Sequence, residues 1–280
     1  EFAREAKGDA DPDRSRIVIL NYPAHPTGTT YSTEKLKALA EVARRYKVIL
    51  LSDEIYGELH FQGRHVSIAR FYPEGTIVSS GISKWCGAGG WRLGTFSFQP
   101  ELHWLQTPMA TVASETYTAT SAPIQYAAVS AYRGGPEIDT YLRLSRRVLK
   151  ALGRKLSDML LKADLHHPRP EGAFYLFVDF EAQRERLAAK GITGSSELCD
   201  RLLEDTGVAV LPGSNFGRPE NELTARLAFV DFDGHAALQA AALLPRDQPL
   251  DDAFLRACCP RMLQAVERIC EWSSDLRSER

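Results

Sequence analysis

Two short apolar runs, "RIVIL" at 16–20 and "VILLSD" at 48–53, flank the segment "STEKLKALAEVARRYK" at 32–47. The middle segment carries Leu36, Leu39, Ala40 and Ala43 at the three-and-four spacing of a helix with one buried stripe. Ser32 or Thr33 stands where an N-cap is wanted. Strand, helix and strand at this spacing form the unit that makes two strands parallel neighbours, with the helix laid across the sheet. "TIVSSG" at 76–81 and "GTFSF" at 94–98 continue the series. The expected fold class is therefore α/β, with a mainly parallel sheet flanked by helices. The unbroken apolar character of "VILLSD" predicts a fully buried strand. Sheets of this kind bind ligands beyond the carboxyl ends of their strands. His25, Asp53, Tyr56 and Lys84 each lie just after a proposed strand.

Residues 121–133 and 137–163 show helical periodicity, and the second run is long enough to connect two domains. After Pro168 and Pro170 the pattern changes. "AFYLFVDF" (173–180), "GVAVL" (207–211) and "ARLAFVDF" (225–232) read as strands, and 195–205, 234–244 and 252–273 as helices. This predicts a larger domain over 1–150 and a smaller α+β domain over 151–280.

Composition narrows the function classes. Charged residues make up 25% of the chain and the net charge is −2, which gives no electrostatic pull towards nucleic acid or an anionic membrane. No apolar run approaches the roughly 20 residues that span a bilayer. The opening "EFAREAKGDADPDRSR" lacks the apolar stretch of a signal peptide. Cys86, Cys199, Cys258, Cys259 and Cys270 form no CxxC pair and read as reduced thiols of a cytoplasmic protein.

The chemistry concentrates in "SSGISKWCGAGGWRLGTF", 79–96. A lysine amine with a lowered pKa forms Schiff bases with aldehydes. After Lys84, the glycines Gly87, Gly89 and Gly90 leave bare backbone for a ligand to approach. Arg92 follows with a rigid fork of donors suited to phosphate. An aldehyde at one end and a phosphate at the other describe pyridoxal phosphate. In "SDEIYGELHF" (52–61), Asp53 is a carboxylate able to keep a pyridine nitrogen protonated, and Tyr56 a phenol able to bond the ring hydroxyl. "NYPAHPTGTTYS" (21–32) is a turn that presents Asn21 or His25 to the same ring.

These motifs, with "PEGAFYLF", "LLEDTGVAVLPGSNFG" and "RLAFVDFDG" after them, occur in the order found in class I/II aminotransferases, the fold type I pyridoxal phosphate enzymes, and the chain resembles that family from about residue 16 onward. The resemblance implies Lys84 as the Schiff-base lysine and proton shuttle. It also implies Asp53 at the pyridine nitrogen, Tyr56 at the ring oxygen, Arg92 at the phosphate and Arg226 at the substrate's α-carboxylate. The implied reaction moves an amino group from an amino acid to a 2-oxo acid, in a cytoplasmic homodimer. His25 stands where the family usually has asparagine before Pro-Thr-Gly. An imidazole there can donate one hydrogen bond but titrates near neutrality. Family members carry a long N-terminal part before "NYPAHPTG" that residues 1–15 do not match. The chain is expected to be part of a longer protein, or a truncated relative with poor activity by itself. A lyase of the same fold, and a non-catalytic half-domain that binds a partner, are the alternative readings.

Each residue also has a plainer reading. Asp53 would cap the turn after its strand, Tyr56 would edge a core, and Arg92 and Arg226 would be surface or strand-edge charges. Trp91 is expected to pack. "LHHPRP" (165–170) reads as a surface linker, and "DFDGH" (231–235) as a turn into a helix. Cys258 and Cys259 sit in a core or interface pattern. Between Thr107 and Tyr132 there is no Lys, Arg or His. That stretch lies on the substrate side in relatives, so a neutral or apolar substrate side chain is expected.

Overall fold

The computed structural model describes residues 15–278; the charged opening stretch through Arg14 lies outside them. Two compact units emerge, one built from residues up to 23, 30–59 and 64–139, the other from 24–29, 60–63 and 140 onward. The division falls between Asp139 and Thr140, where the sequence expectation puts it at residue 150. The turn carrying His25 is assigned to the second unit.

The first unit contains strands β1 (Ile17–Asn21), β2 (Ile49–Asp53), β3 (Thr76–Gly81) and β4 (Gly94–Ser97), in the sheet order β1-β2-β3-β4. β1, β2 and β3 are parallel; β4 runs antiparallel to β3. Helix α1 (Thr33–Arg45) connects β1 to β2, and the Ser32 hydroxyl caps it by accepting from the Lys35 amide. Leu36, Ala40 and Ala43 on its inner stripe pack with Tyr22, Val48, Leu50, Ile68 and Tyr72. The sheet is not buried on both faces. Ile17 and Ile19, which point away from that core, are 58% and 67% exposed. β2 alternates between buried and half-buried residues, so it is not the fully buried strand that its composition suggests. An unbroken apolar run does not report which face a neighbouring element covers.

Two helices follow β4: the first is not among those expected from the sequence, and the second falls within the helical stretch expected over 121–133. They are α2 (His103–Thr116), with Pro108 inside it, and α3 (Ala122–Arg133). Of their residues only Ala128 is buried. Trp91 is 54% exposed, against the packing role expected of it.

Helix α4 (Pro136–Lys162) begins at the end of the first unit and continues into the second. There Leu152, Leu156 and Leu160 are fully buried. The second unit holds a three-stranded antiparallel sheet, β5 (Tyr175–Asp179), β7 (Thr224–Ala228) and β6 (Leu211–Pro212), in the order β5-β7-β6. Of the strand expected over 207–211, only Leu211 is extended into the sheet. Gly207 caps the preceding helix in the left-handed conformation, and the Thr206 hydroxyl takes the Val208 amide. Around the sheet lie α5 (Arg184–Ala189), α6 (Ser195–Thr206), α7 (Gly234–Ala242), α8 (Asp252–Cys258) and α9 (Pro260–Ser278). The single helix expected over 252–273 is broken at Pro260, which has no amide hydrogen to continue it. Cys259, at that break, is buried, and the pKa of its thiol is pushed up to about 12 by desolvation. No helix among the described residues is long and apolar enough to cross a membrane.

Candidate functional site

In the first unit, parallel register sets the carboxyl ends of three strands side by side. Asn21 is opposite Asp53, and Asp53 is opposite Ser79. Asp53 is the last residue of β2 and is half-buried. One carboxylate oxygen accepts from Asn21 Nδ2 at 2.9 Å and the other from the Ile55 amide at 3.3 Å. Desolvation raises its pKa above the usual carboxylate value despite those two bonds. Among the described residues no ion pair compensates it. A carboxylate in this condition is stabilised by a cation brought beside it.

Behind Asp53 lies a second carboxylate. Glu54 accepts at Oε1 from the Ser52 hydroxyl (2.8 Å) and the Ser67 hydroxyl (2.5 Å), and its Oε2 is 2.8 Å from His65 Nε2. Burial alone would raise the Glu54 pKa, but the bonds from His65 and Ser67 and the His65 charge more than offset it, so it is lowered. The Tyr22 phenol joins the cluster and accepts the Ile68 amide at 2.7 Å. This cluster fixes the turn that follows β2, and no motif in the sequence announces it. Its parts, Tyr22, Ser52, Glu54, His65 and Ser67, come from three separate segments.

Tyr56 is buried in that turn, and Lys84 Nζ lies 5.9 Å from the centre of its ring. Lys84 is half-buried in a tight turn after β3. The turn closes with Gly87 N bonding Lys84 O at 3.3 Å, and Gly87 takes φ +64°, a conformation that favours glycine. Gly81 ends β3, and a Cβ there would sit 2.8 Å from the Leu93 carbonyl oxygen, so the close approach of β4 requires a bare backbone.

Arg92 is exposed, takes φ +54°, and donates from Nη1 to the Gly89 carbonyl at 2.8 Å. It lines a cavity of about 750 Å³ with Ser79, Ser80, Thr95 and Tyr117. Lys84, Asp53 and Tyr56 are not among that cavity's lining residues.

The second unit holds the other pair. Arg226, in β7 and half-buried, donates from Nη1 to His25 Nε2 at 2.6 Å. The guanidinium lies 4.9 Å from the Tyr175 ring centre and 5.2 Å from that of Phe216. The same two rings meet the His25 imidazole edge-on, at 4.6 and 5.2 Å. Tyr175 and Phe216 lie in two of the quoted motifs, yet neither is singled out by the sequence. The signal exists in principle, since an aromatic at each of "PEGAFYLF" and "SNFG" flanks the arginine strand. The loop bearing His25 is pinned by Gly28, whose carbonyl accepts the amides of Glu171 (2.8 Å) and Gly172 (3.1 Å). The adjacent histidines of the expected linker are ordinary: His166 lies near Asp164, and His167 bonds Ser157. No group of three metal-ligating side chains occurs among the described residues.

Comparison with known proteins places this arrangement. A family model described as aminotransferase class I and II matches residues 3–231. The aspartate aminotransferase of Geobacillus stearothermophilus is 36% identical over 213 residues, which are 74% of this chain and 52% of that protein. The asparagine–oxo-acid transaminase of Streptococcus mutans is 33% identical over 222 residues, 76% of this chain and 53% of the relative. Among solved structures, a double mutant of Thermus thermophilus aspartate aminotransferase superposes with a TM-score of 0.73 at 26% identity, covering 97% of this chain and 60% of that one. The chain thus spans about half the length of the curated relatives it matches. It belongs to the class I and II aminotransferases.

Proposed function

We propose that this chain carries the lysine-bearing part of a pyridoxal-phosphate-dependent aminotransferase, moving an amino group between an amino acid and a 2-oxo acid. The observation that carries the proposal is Asp53: a half-buried carboxylate, held by Asn21 and the Ile55 amide, its pKa raised by desolvation, with no cation paired to it among the described residues. That is what a residue built to face a protonated ring nitrogen requires. Lys84 and Tyr56, 5.9 Å apart from amine to ring centre, supply an amine and a phenol in the same unit.

Asp53 would hold the positive charge on the ring nitrogen. Tyr56 would hydrogen-bond the ring oxygen, and Arg92 would bind the phosphate. Bound there, pyridoxal phosphate supplies an aldehyde that condenses with amines and a ring that accepts electron pairs. Lys84 Nζ would accept the proton that leaves the substrate's α-carbon and later release it, general base and then general acid work by one amine. Arg226 offers its two-pronged face to the α-carboxylate, a geometry that a lysine would not reproduce. A homodimer is the assembly this family reading favours.

The test is the visible absorption spectrum of the chain mixed with pyridoxal phosphate, beside a Lys84→Ala variant. A band that depends on Lys84 supports the proposal; identical spectra for the two proteins overturn it for this chain.

A further inference from the structure

Among the described residues Arg226 is a cation without an anion. Among the described residues no carboxylate lies within ion-pair distance of it, and its Nε is buried with no hydrogen-bond partner. Its guanidinium donates instead to a ring nitrogen. A guanidinium carries only donors, so the 2.6 Å contact requires that His25 Nε2 present its lone pair. Tyr175 and Phe216 pack against both groups and hold them together. Facing His25 are the Arg226 guanidinium from β7, the phenol-bearing Tyr175 ring from β5 and the neutral Phe216 ring.

A carboxylate that approaches Arg226 therefore meets an obstacle. Its oxygen and His25 Nε2 are both acceptors, and two acceptors facing each other in a half-buried site repel. One proton on Nε2 resolves the conflict, since an imidazolium donates to the carboxylate alongside the guanidinium. We propose that His25 and Arg226 form a two-cation clamp for a carboxylate and that binding takes up one proton from solvent onto His25 Nε2. The resting pair carries one positive charge. The loaded clamp carries two, against the carboxylate's one negative charge. The inference rests on the assignment of Arg226 to the substrate carboxylate. It adds that His25 is a second ligand of that carboxylate and that the site prefers mildly acidic conditions.

The test uses the full chain labelled with ring-¹³C histidine, the His25 signal being assigned by its loss in His25→Asn. Sodium propionate, a carboxylate with no amine, is the probe, with sodium chloride at equal ionic strength as control. The expected result is a His25 titration midpoint that rises when propionate is added. Because linkage is reciprocal, propionate affinity then rises by up to about tenfold for each pH unit lowered through the His25 titration. His25→Asn keeps propionate binding but flattens its dependence between about pH 6 and pH 8. Arg226→Lys weakens binding throughout. Binding that needs Arg226 yet leaves the His25 titration unmoved overturns the clamp, as would a simple switch of tautomer with no proton uptake. Absence of saturable binding overturns it too. The Lys84-dependent absorption band is read separately. A band with a flat propionate profile refutes the clamp alone, and proton-linked binding without the band refutes the proposed cofactor chemistry alone.

Discussion

Replacing Gly28 by alanine separates two costs that are usually entangled. Gly28 takes φ +70°. A Cβ built there would lie 2.9 Å from Pro170 Cβ, 3.0 Å from the Tyr175 carbonyl oxygen and 3.1 Å from that of Gly172. The left-handed backbone alone costs an L residue about 1–2 kcal/mol. Two of the three steric neighbours are backbone and cannot rotate away, so overpacking adds about 1–3 kcal/mol. Gly217 provides the control: its φ is +76°, yet nothing lies within 4 Å of a Cβ built on it. Gly217→Ala should therefore lose about 1–2 kcal/mol and Gly28→Ala about 2–5 kcal/mol. By calorimetry that difference of about 1–3 kcal/mol is roughly 2–12 °C in Tm for a unit of this size. Hydrogen exchange localises the effect. The Glu171 and Gly172 amides donate to the Gly28 carbonyl and should lose protection in Gly28→Ala but keep it in Gly217→Ala. Equal melting temperatures for the two variants, with both amides still protected, would refute the reasoning. Gly28 would then not be what pins the His25 loop.

The first unit offers two more tests. Glu54→Gln should cost about 1–3 kcal/mol near neutral pH, because a nearly buried carboxylate bonded by Ser52, Ser67 and His65 loses its charge-assisted bonds. The Glu54 pKa is lowered in the folded state, so its contribution is complete above the unfolded value of 4.5 and fades as pH falls through the folded value. Urea unfolding of variant and wild type should thus converge in acid, and a gap that widens there would contradict the account. Gly81→Ser should lose about 1–3 kcal/mol in the same assay, since the new Cβ meets the Leu93 carbonyl oxygen at 2.8 Å and Ile55 Cδ1 at 3.1 Å; an unchanged midpoint would show that β4 can yield.

How much of the molecule is legible in its sequence depends on how local each cause is. α1 and its Ser32 cap can be read because cap, stripe and helix all lie within one short segment. The same holds for the lysine segment, where amine, glycines and arginine follow one another. β2 reads as more buried than it is because burial is a property of neighbours. Its apolar run is identical whether one or both sheet faces are covered, and Ile17 and Ile19 on the adjoining strand show that one is not. The strand's own residues, Ile49 to Asp53, do not encode that; the second layer does.

The arginine site is legible only as a residue type. Arg226 and His25 are 201 positions apart, and their meeting depends on Gly28 tying the His25 loop to the residues just before β5. From sequence, His25 is therefore assigned a hydrogen bond to a cofactor ring by analogy with the asparagine it replaces. The structure gives its Nε2 a different partner, a cation. With that partner comes a lone pair that, under the clamp proposed above, must be neutralised before a carboxylate can share the site. A histidine in an asparagine's place is thus more than a bulkier donor. It adds a titratable group at the point where charge has to be balanced, and its consequence is a dependence on protons that asparagine cannot have.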